Sequence, residues 1–288
     1  MIMLLNFIEW NPNPILIDLG SLAIHYYSLL FASGFILSYI ILNKYFKKQG
    51  LEQDYLDSLV TYVVLGTIIG ARLGHCLFYD WEYFSQHPME IFLPFKFEPE
   101  FEITGFRGLA SHGGILGVLL ALLLFSKNKK IEKWWLLDML ALVGPLAGMC
   151  IRLGNLMNSE IVGAPSDVPW AFIFVQVDNV PRHPGQLYEA LAYLGIFIVL
   201  NILYHKKYKE LGRGVIFGLF FVLLFSARFL LEFTKANQKS FEDDMLINMG
   251  QLLSIPFLIG GLYVMWKQWN EPYGIPKLSM KREKENKK

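Results

Sequence analysis

The sequence predicts an all-α integral membrane protein: seven transmembrane helices, the N-terminus outside, the C-terminus cytoplasmic, and small arm and loop elements on the outer face. Three observations predict it. Of 288 residues, 54% are hydrophobic and only 18% are charged, which is lean in charge for a soluble domain of this size. The apolar runs reach the ~20 residues that a helix needs to cross a hydrocarbon core. The basic residues also alternate by connection, as the positive-inside rule requires.

The expected spans are 20–42, 57–79, 109–126, 134–157, 186–204, 213–233 and 250–268. Lys44, Lys47 and Lys48 follow the first, and Lys127, Lys129, Lys130 and Lys133 follow the third. Lys206, Lys207, Lys209 and Arg213 follow the fifth, and seven Lys and Arg residues between Lys267 and Lys288 follow the last. The other connections hold only Lys96, Arg107, Arg182, Lys235 and Lys239. Odd connections and the tail are therefore placed in the cytoplasm, and even ones outside. The first lysine is Lys44, so no cleavable signal peptide is expected. Residues 1–270 are taken as one seven-span transmembrane domain, and 271–288 as a basic, disordered tail.

The outer connections are long and aromatic. Residues 80–108 carry Trp81, Tyr83, Phe84, Phe92 and Phe95, suited to an interfacial segment. Residues 95–103 alternate with period two about Pro99, which predicts a small hairpin arm. Residues 170–177 read as another short extended piece. Cys76 and Cys150 fall in apolar spans and read as small core residues. Asp57 and Asp138, near the inner ends of their spans, read as boundary charges.

Three arginines fall inside spans: Arg72, Arg152 and Arg228. An arginine in an apolar span costs about 2.5–3.5 kcal/mol on insertion scales and normally faces a polar cavity or a partner. Helical rise places all three ~8–10 Å below the outer surface. His25, Tyr26 and Tyr27, the run Ser111-His112-Gly113-Gly114, and Gln186, Tyr188 and Glu189 share that level. Arg152 and Asn155 form an i, i+3 pair, and Glu160 follows. Glu232 stands one turn after Arg228, placed to neutralise it partly. An arginine fork matches phosphate, and the abundant phosphate of a membrane is a lipid head group. His112 is a candidate proton acceptor; Gly113 and Gly114 permit close approach of a substrate or a helix backbone. The blander alternatives are separate snorkelling of each arginine and a buried ion-pair network with Glu160, Glu189 and Glu232. No zinc helix, serine elbow or phosphate-binding glycine loop occurs, and the basic pattern follows topology rather than nucleic acid.

At these residues the chain resembles the prolipoprotein diacylglyceryl transferase family. The matching pieces are His-Gly-Gly at 112–114, Arg-Leu-Gly-Asn-Leu-Met-Asn-Ser-Glu at 152–160 with Gly163, and Arg-His-Pro-Gly-Gln-Leu-Tyr-Glu at 182–189. Arg-Phe-Leu-Leu-Glu-Phe at 228–233, Met-Gly-Gln-Leu-Leu-Ser-Ile-Pro at 249–256, Gly-Ala-Arg-Leu-Gly at 70–74 and Tyr26-Tyr27 match too. The chain departs at Lys235-Ala236-Asn237-Gln238, where the family often has Arg-Glu-Pro-Asp, and at Ser111, where it often has a large aromatic. The resemblance implies transfer of the diacylglyceryl group of phosphatidylglycerol to the lipobox cysteine of preprolipoproteins. It forms a thioether, releases glycerol-1-phosphate and needs no cofactor or metal. It implies a bacterial inner-membrane enzyme with its site toward the outer leaflet. His112, Arg152 and Arg228 would be catalytic; Tyr27, Arg72, Gly113, Gly114, Asn155, Glu160, Gly163 and Glu232 would bind substrate. The rival readings are a seven-span anion transporter and a non-catalytic protein that binds anionic lipid.

Overall fold

In the computed structural model, residues 7–20, 23–93, 95–96, 102–103, 108, 110–235 and 247–271 are described. Seven long helices stand where the seven spans are expected: α1 (Tyr26–Lys48), α2 (Gln53–Phe78), α4 (Ser111–Lys129), α5 (Lys133–Met157), α6 (Gly185–Lys207), α7 (Val215–Leu231) and α8 (Met249–Gln268), with the short α3 (Trp81–Gln86) after α2. Six of them are long and apolar enough to cross a membrane; α4 is not among these six. It opens on polar and glycine residues, His112-Gly113-Gly114, and closes on Lys127 and Lys129, which shortens its apolar stretch. Among the described residues six helices are thus candidate spans. Of the predicted tail, 271–288, residues 272–288 lie outside the described residues.

The chain divides into two units. Of the described residues, the first holds those within Met1–Leu42 and Leu137–Gly274, the second those within Asn43–Leu136.

In the first unit, a small sheet steadies the end of α5. Strand β6 (Phe172–Phe174) pairs in parallel with β1 (Ile8–Trp10) and antiparallel with β7 (Pro181–Arg182). The extended piece expected at 170–177 is thus its central strand. Leu156, Phe172 and Phe174 form a buried cluster, with Trp10, Val162 and Leu187 packed against it. Trp10 also donates from its indole N–H to the carbonyl of Leu156 at 2.9 Å, satisfying one of the carbonyls that a helix end leaves open. Strands β2 (Ile15–Asp18) and β3 (Ala23–His25) form a separate antiparallel pair leading into α1. The sequence gives little sign of these N-terminal strands.

Asp138 is not a boundary charge. It is fully buried, and its carboxylate accepts from the backbone N–H groups of Gly214 (2.6 Å) and Phe217 (2.7 Å). These are orphan donors at the start of α7, where the helix dipole also favours negative charge. Helix α7 then packs on α8, with Phe225 stacked on Phe257 at 4.5 Å between ring centres. Cys150 in this unit and Cys76 in the second are buried free thiols.

The second unit is organised by α2 and α4. A Cβ placed on Gly113 would lie 2.8 Å from the Cα of Gly74, and one on Gly74 would lie 2.7 Å from the Cα of Gly113. Gly66, Gly70 and Gly117 extend the same backbone contact. Small residues let membrane helices approach this closely. An apolar groove of about 480 Å³ runs along the pair, past Leu65, Ile69, Leu73, Leu116 and Leu120. The predicted arm is present as β4 (Phe95–Lys96) paired antiparallel with β5 (Glu102–Ile103); Pro99 lies outside the described residues.

Candidate active site

In the first unit four of the sequence-predicted site residues, Arg152, Asn155, Glu160 and Glu232, share one polar network. Arg152 sits on the last turns of α5, half-buried. Its Nη1 donates to Asn155 Oδ1 at 3.2 Å, and its Nε lies 2.6 Å from Glu189 Oε2 on α6. Asn155 passes the contact on, donating from Nδ2 to Glu160 Oε2 at 3.0 Å, and Asn158 donates to Glu160 Oε1 at 3.2 Å. The i, i+3 spacing that places Arg152 and Asn155 on one face therefore yields a bonded pair. Among the described residues Arg152 Nη2 has no hydrogen-bond partner, which leaves one edge of the fork open.

Beyond α5 the chain turns sharply. Ser159 (φ 53°) and Ile161 (φ 55°) both take left-handed backbone conformations, which cost most residues about 1–3 kcal/mol and recur at functional sites. The turn is held by Gln186 of α6, which donates to the carbonyl of Glu160. Glu160 itself is exposed, while Asn155, Gln186 and Glu189 are buried.

Gly163 has a structural reason to be glycine. Its N–H donates to the carbonyl of His183 at 3.0 Å, and it bridges to Lys235. A Cβ there would lie 2.7 Å from the His183 side chain and 2.8 Å from the carbonyl of Thr234. Arg182 braces the same loop: it pairs with Asp178 through two N–H groups and donates to the Gly163 carbonyl at 3.3 Å. The hydrogen bond from Arg182 holds the Asp178 carboxyl below its ordinary range. Tyr27, in the first turn of α1, packs against Gly154; a Cβ on that glycine would lie 2.8 Å from its ring.

Glu232 does not neutralise Arg228. Helix α7 ends at Leu231 and continues as a 3₁₀ turn, Glu232–Thr234, which brings Lys235 round to the Glu232 carboxylate. Glu232 Oε2 instead lies 3.3 Å from Lys235 Nζ, which is also 2.8 Å from Glu189 Oε1. Both are ion pairs by distance, without the angles of hydrogen bonds. Gly250 makes room for the Glu232 carboxyl, which a Cβ there would meet at 2.5 Å. Half-buried Arg228 has no hydrogen bond or ion pair from its guanidinium among the described residues.

Lys235 is the residue that sequence reasoning missed. It reads as one of a few cations in an outer connection, yet its side chain is only 11% exposed and lies between two carboxylates. The signal was its i+3 spacing from Glu232.

The other expected residues lie in the second unit. Arg72 of α2 is buried; its Nε donates to the carbonyl of Ile91 at 3.1 Å and its Nη2 to that of Glu90 at 2.6 Å. The guanidinium also covers the ring of Phe84 at 4.7 Å. His112 is exposed in the first turn of α4. Gly113 serves close approach of a helix backbone, that of α2, whereas a Cβ on Gly114 would make only ordinary contacts, at 3.6 Å or more.

The chain is similar in sequence to known proteins. The family pattern described as prolipoprotein diacylglyceryl transferase matches residues 14–267. A phosphatidylglycerol–prolipoprotein diacylglyceryl transferase of Bacteroides fragilis is 47% identical over 265 residues, covering 91% of this chain and 96% of that protein. Proteins of the same name are 44% identical over 257 residues in Tolumonas auensis (89% and 95% covered) and 41% identical over 263 residues in Chloroherpeton thalassium (91% and 94% covered). Together with six membrane-length helices, these likenesses indicate a multi-pass membrane protein.

Proposed function

The chain belongs to the prolipoprotein diacylglyceryl transferase family, and on that footing we propose that it carries the diacylglyceryl group of phosphatidylglycerol to the lipobox cysteine of preprolipoprotein signal peptides, the first step of lipoprotein maturation. The thiolate sulfur attacks the glyceryl carbon bonded to phosphate. That carbon–oxygen bond breaks, its electron pair stays on the phosphate oxygen, and glycerol-1-phosphate departs. The products are a thioether and a phosphate ester, with no change of oxidation state and no cofactor.

One observation carries this reading: Arg152 is aimed by Glu189 and Asn155 yet keeps an open N–H edge, while the guanidinium of Arg228 on α7 has no partner among the described residues. Preorganised cations stabilise charge that builds on a leaving phosphate, most strongly where water is excluded. Arg152 with Asn155, and Arg228, would bind the phosphate. Glu160 and Glu232 would orient arginines or glycerol hydroxyls, and Tyr27 and Gly163 would shape the substrate's path. His112, beside Gly113 and Gly114, would take or relay the thiol proton, since the thiolate is the nucleophile. Arg72 would support binding from its own unit. The location would be the bacterial inner membrane, with the N-terminus outside, the C-terminus cytoplasmic and the site toward the outer leaflet. Residues 1–270 would act as one catalytic domain.

The test is incubation of purified protein with phosphatidylglycerol labelled in its acyl chains and a lipobox peptide. Label on the peptide's cysteine, with release of glycerol-1-phosphate, is expected. Binding of lipid without transfer would leave a lipid-binding protein and end the enzymatic reading.

A further inference from the structure

We propose that Glu189 and Lys235 are a coupled pair of positioning residues: Glu189 aims Arg152, and Lys235 keeps Glu189 from cancelling the charge of Arg152. The inference rests on the transferase reading and adds the device that keeps its cation both fixed and available.

Glu189 is a single carboxylate shared between two cations. Its Oε2 lies 2.6 Å from Arg152 Nε and its Oε1 lies 2.8 Å from Lys235 Nζ. The carboxylate is 2% exposed and the lysine 11%, so water screens neither contact well. A carboxylate paired with Arg152 alone would orient the guanidinium but neutralise it, which defeats anion binding. Dividing that carboxylate with a second cation separates orientation from neutralisation. Formal charge agrees. Around this carboxylate Arg152 and Lys235 stand against Glu189 and Glu232, a neutral set. Loss of Lys235 would make the set anionic and repel a phosphodiester; loss of the Glu189 charge would make it cationic.

The backbone fixes both partners. Glu189 lies in the second turn of α6, whose first turn holds the 160 carbonyl through Gln186. Lys235 follows the 3₁₀ turn after α7 and bridges to Gly163. Side chains from α5 and from the segment after α7 thus meet at one carboxylate of α6.

The two residues should fail in opposite ways, which a merely structural role would not produce. With full-length protein in detergent micelles, labelled phosphatidylglycerol and a lipobox peptide, Glu189→Gln should lower kcat by about tenfold or more while KM for the lipid stays level or falls. Lys235→Met should raise that KM by about fivefold with a smaller change in kcat. In the double variant, KM should return to within about twofold of the parent while kcat stays low. Parallel losses in both single variants, or a kcat for Glu189→Gln within about threefold of the parent, would overturn the pairing. If Glu189→Gln does not fold, Glu189→Asp keeps the charge and withdraws it from Arg152; it should hold KM and lose kcat, and an unchanged kcat refutes the proposal. Equilibrium binding of phosphatidylglycerol micelles separates this from the transferase reading. If the parent transfers nothing, that reading falls, and weaker lipid binding by Lys235→Met still supports the charge-sharing pair, whereas unchanged binding refutes it.

Discussion

Arg152 and Arg72 look alike in the chain, each an arginine near the end of an apolar helix, and their surroundings differ in kind. Arg72 is met by two backbone carbonyls and the face of Phe84. Such acceptors satisfy N–H groups and fix the short 3₁₀ turn at Pro88–Ile91. Arg152 is met by a carboxylate on another helix and an amide on its own. The first arrangement ties a loop to a helix with most of the fork used. The second aims a guanidinium and leaves an edge of it open. The same side chain can thus be a tether or a receptor, and its partners decide which.

That contrast can be broken most directly by removing each arginine. Arg152→Ala should cut diacylglyceryl transfer by at least about a thousandfold, because it removes charge stabilisation that the leaving phosphate needs. The variant should still insert and purify as the parent does. Arg72→Met should cost stability first, on the order of 1.5–3 kcal/mol for each lost charged hydrogen bond, with transfer reduced far less. Equal losses of transfer in both would erase the distinction.

A smaller effect sharpens the second unit's side of the comparison. Gly113→Val should lower stability in detergent by about 1–3 kcal/mol through overpacking against α2, whereas Gly114→Ala should leave melting unchanged. A Gly113→Val protein that melts as the parent does would mean that α2 and α4 are not held at backbone contact.

His112→Gln tests the exposed side of α4. If the imidazole takes the thiol proton, the variant should lose about a hundredfold of rate. A loss within about threefold would make His112 structural. The smallest effect belongs to the brace beneath Gly163. The Arg182 hydrogen bond lowers the Asp178 carboxyl, so its contribution is complete above the ordinary carboxylate range, ~3.9, and is lost as pH falls through the lowered value. Asp178→Asn should remove that acid-side softening, read as protease cleavage in 160–182.

Much of this was legible in the chain. The i, i+3 spacing of Arg152 and Asn155 survives as a hydrogen bond because both stay on one helix. The period-two run around Pro99 survives as the pairing of Phe95 with Ile103. Helical spacing puts Glu232 one turn from Arg228, but the 3₁₀ turn that begins at Glu232 brings Lys235 to its carboxylate, a partner that continuous helical spacing does not offer. Asp138 was misjudged because a carboxylate at a span's end resembles a solvated one until a second helix start comes to rest on it.

Hydropathy and the placement of basic residues by themselves determined a helical membrane protein with arginines where lipid tails should be, since burying that much apolar length and those charges leaves few alternatives. Which carboxylate meets which cation was decided only by the tertiary structure. Glu189 and Lys235 lie far apart in sequence, and only packing of separate helices, with glycines at the crossings, brings a long-range ion pair to 2.8 Å.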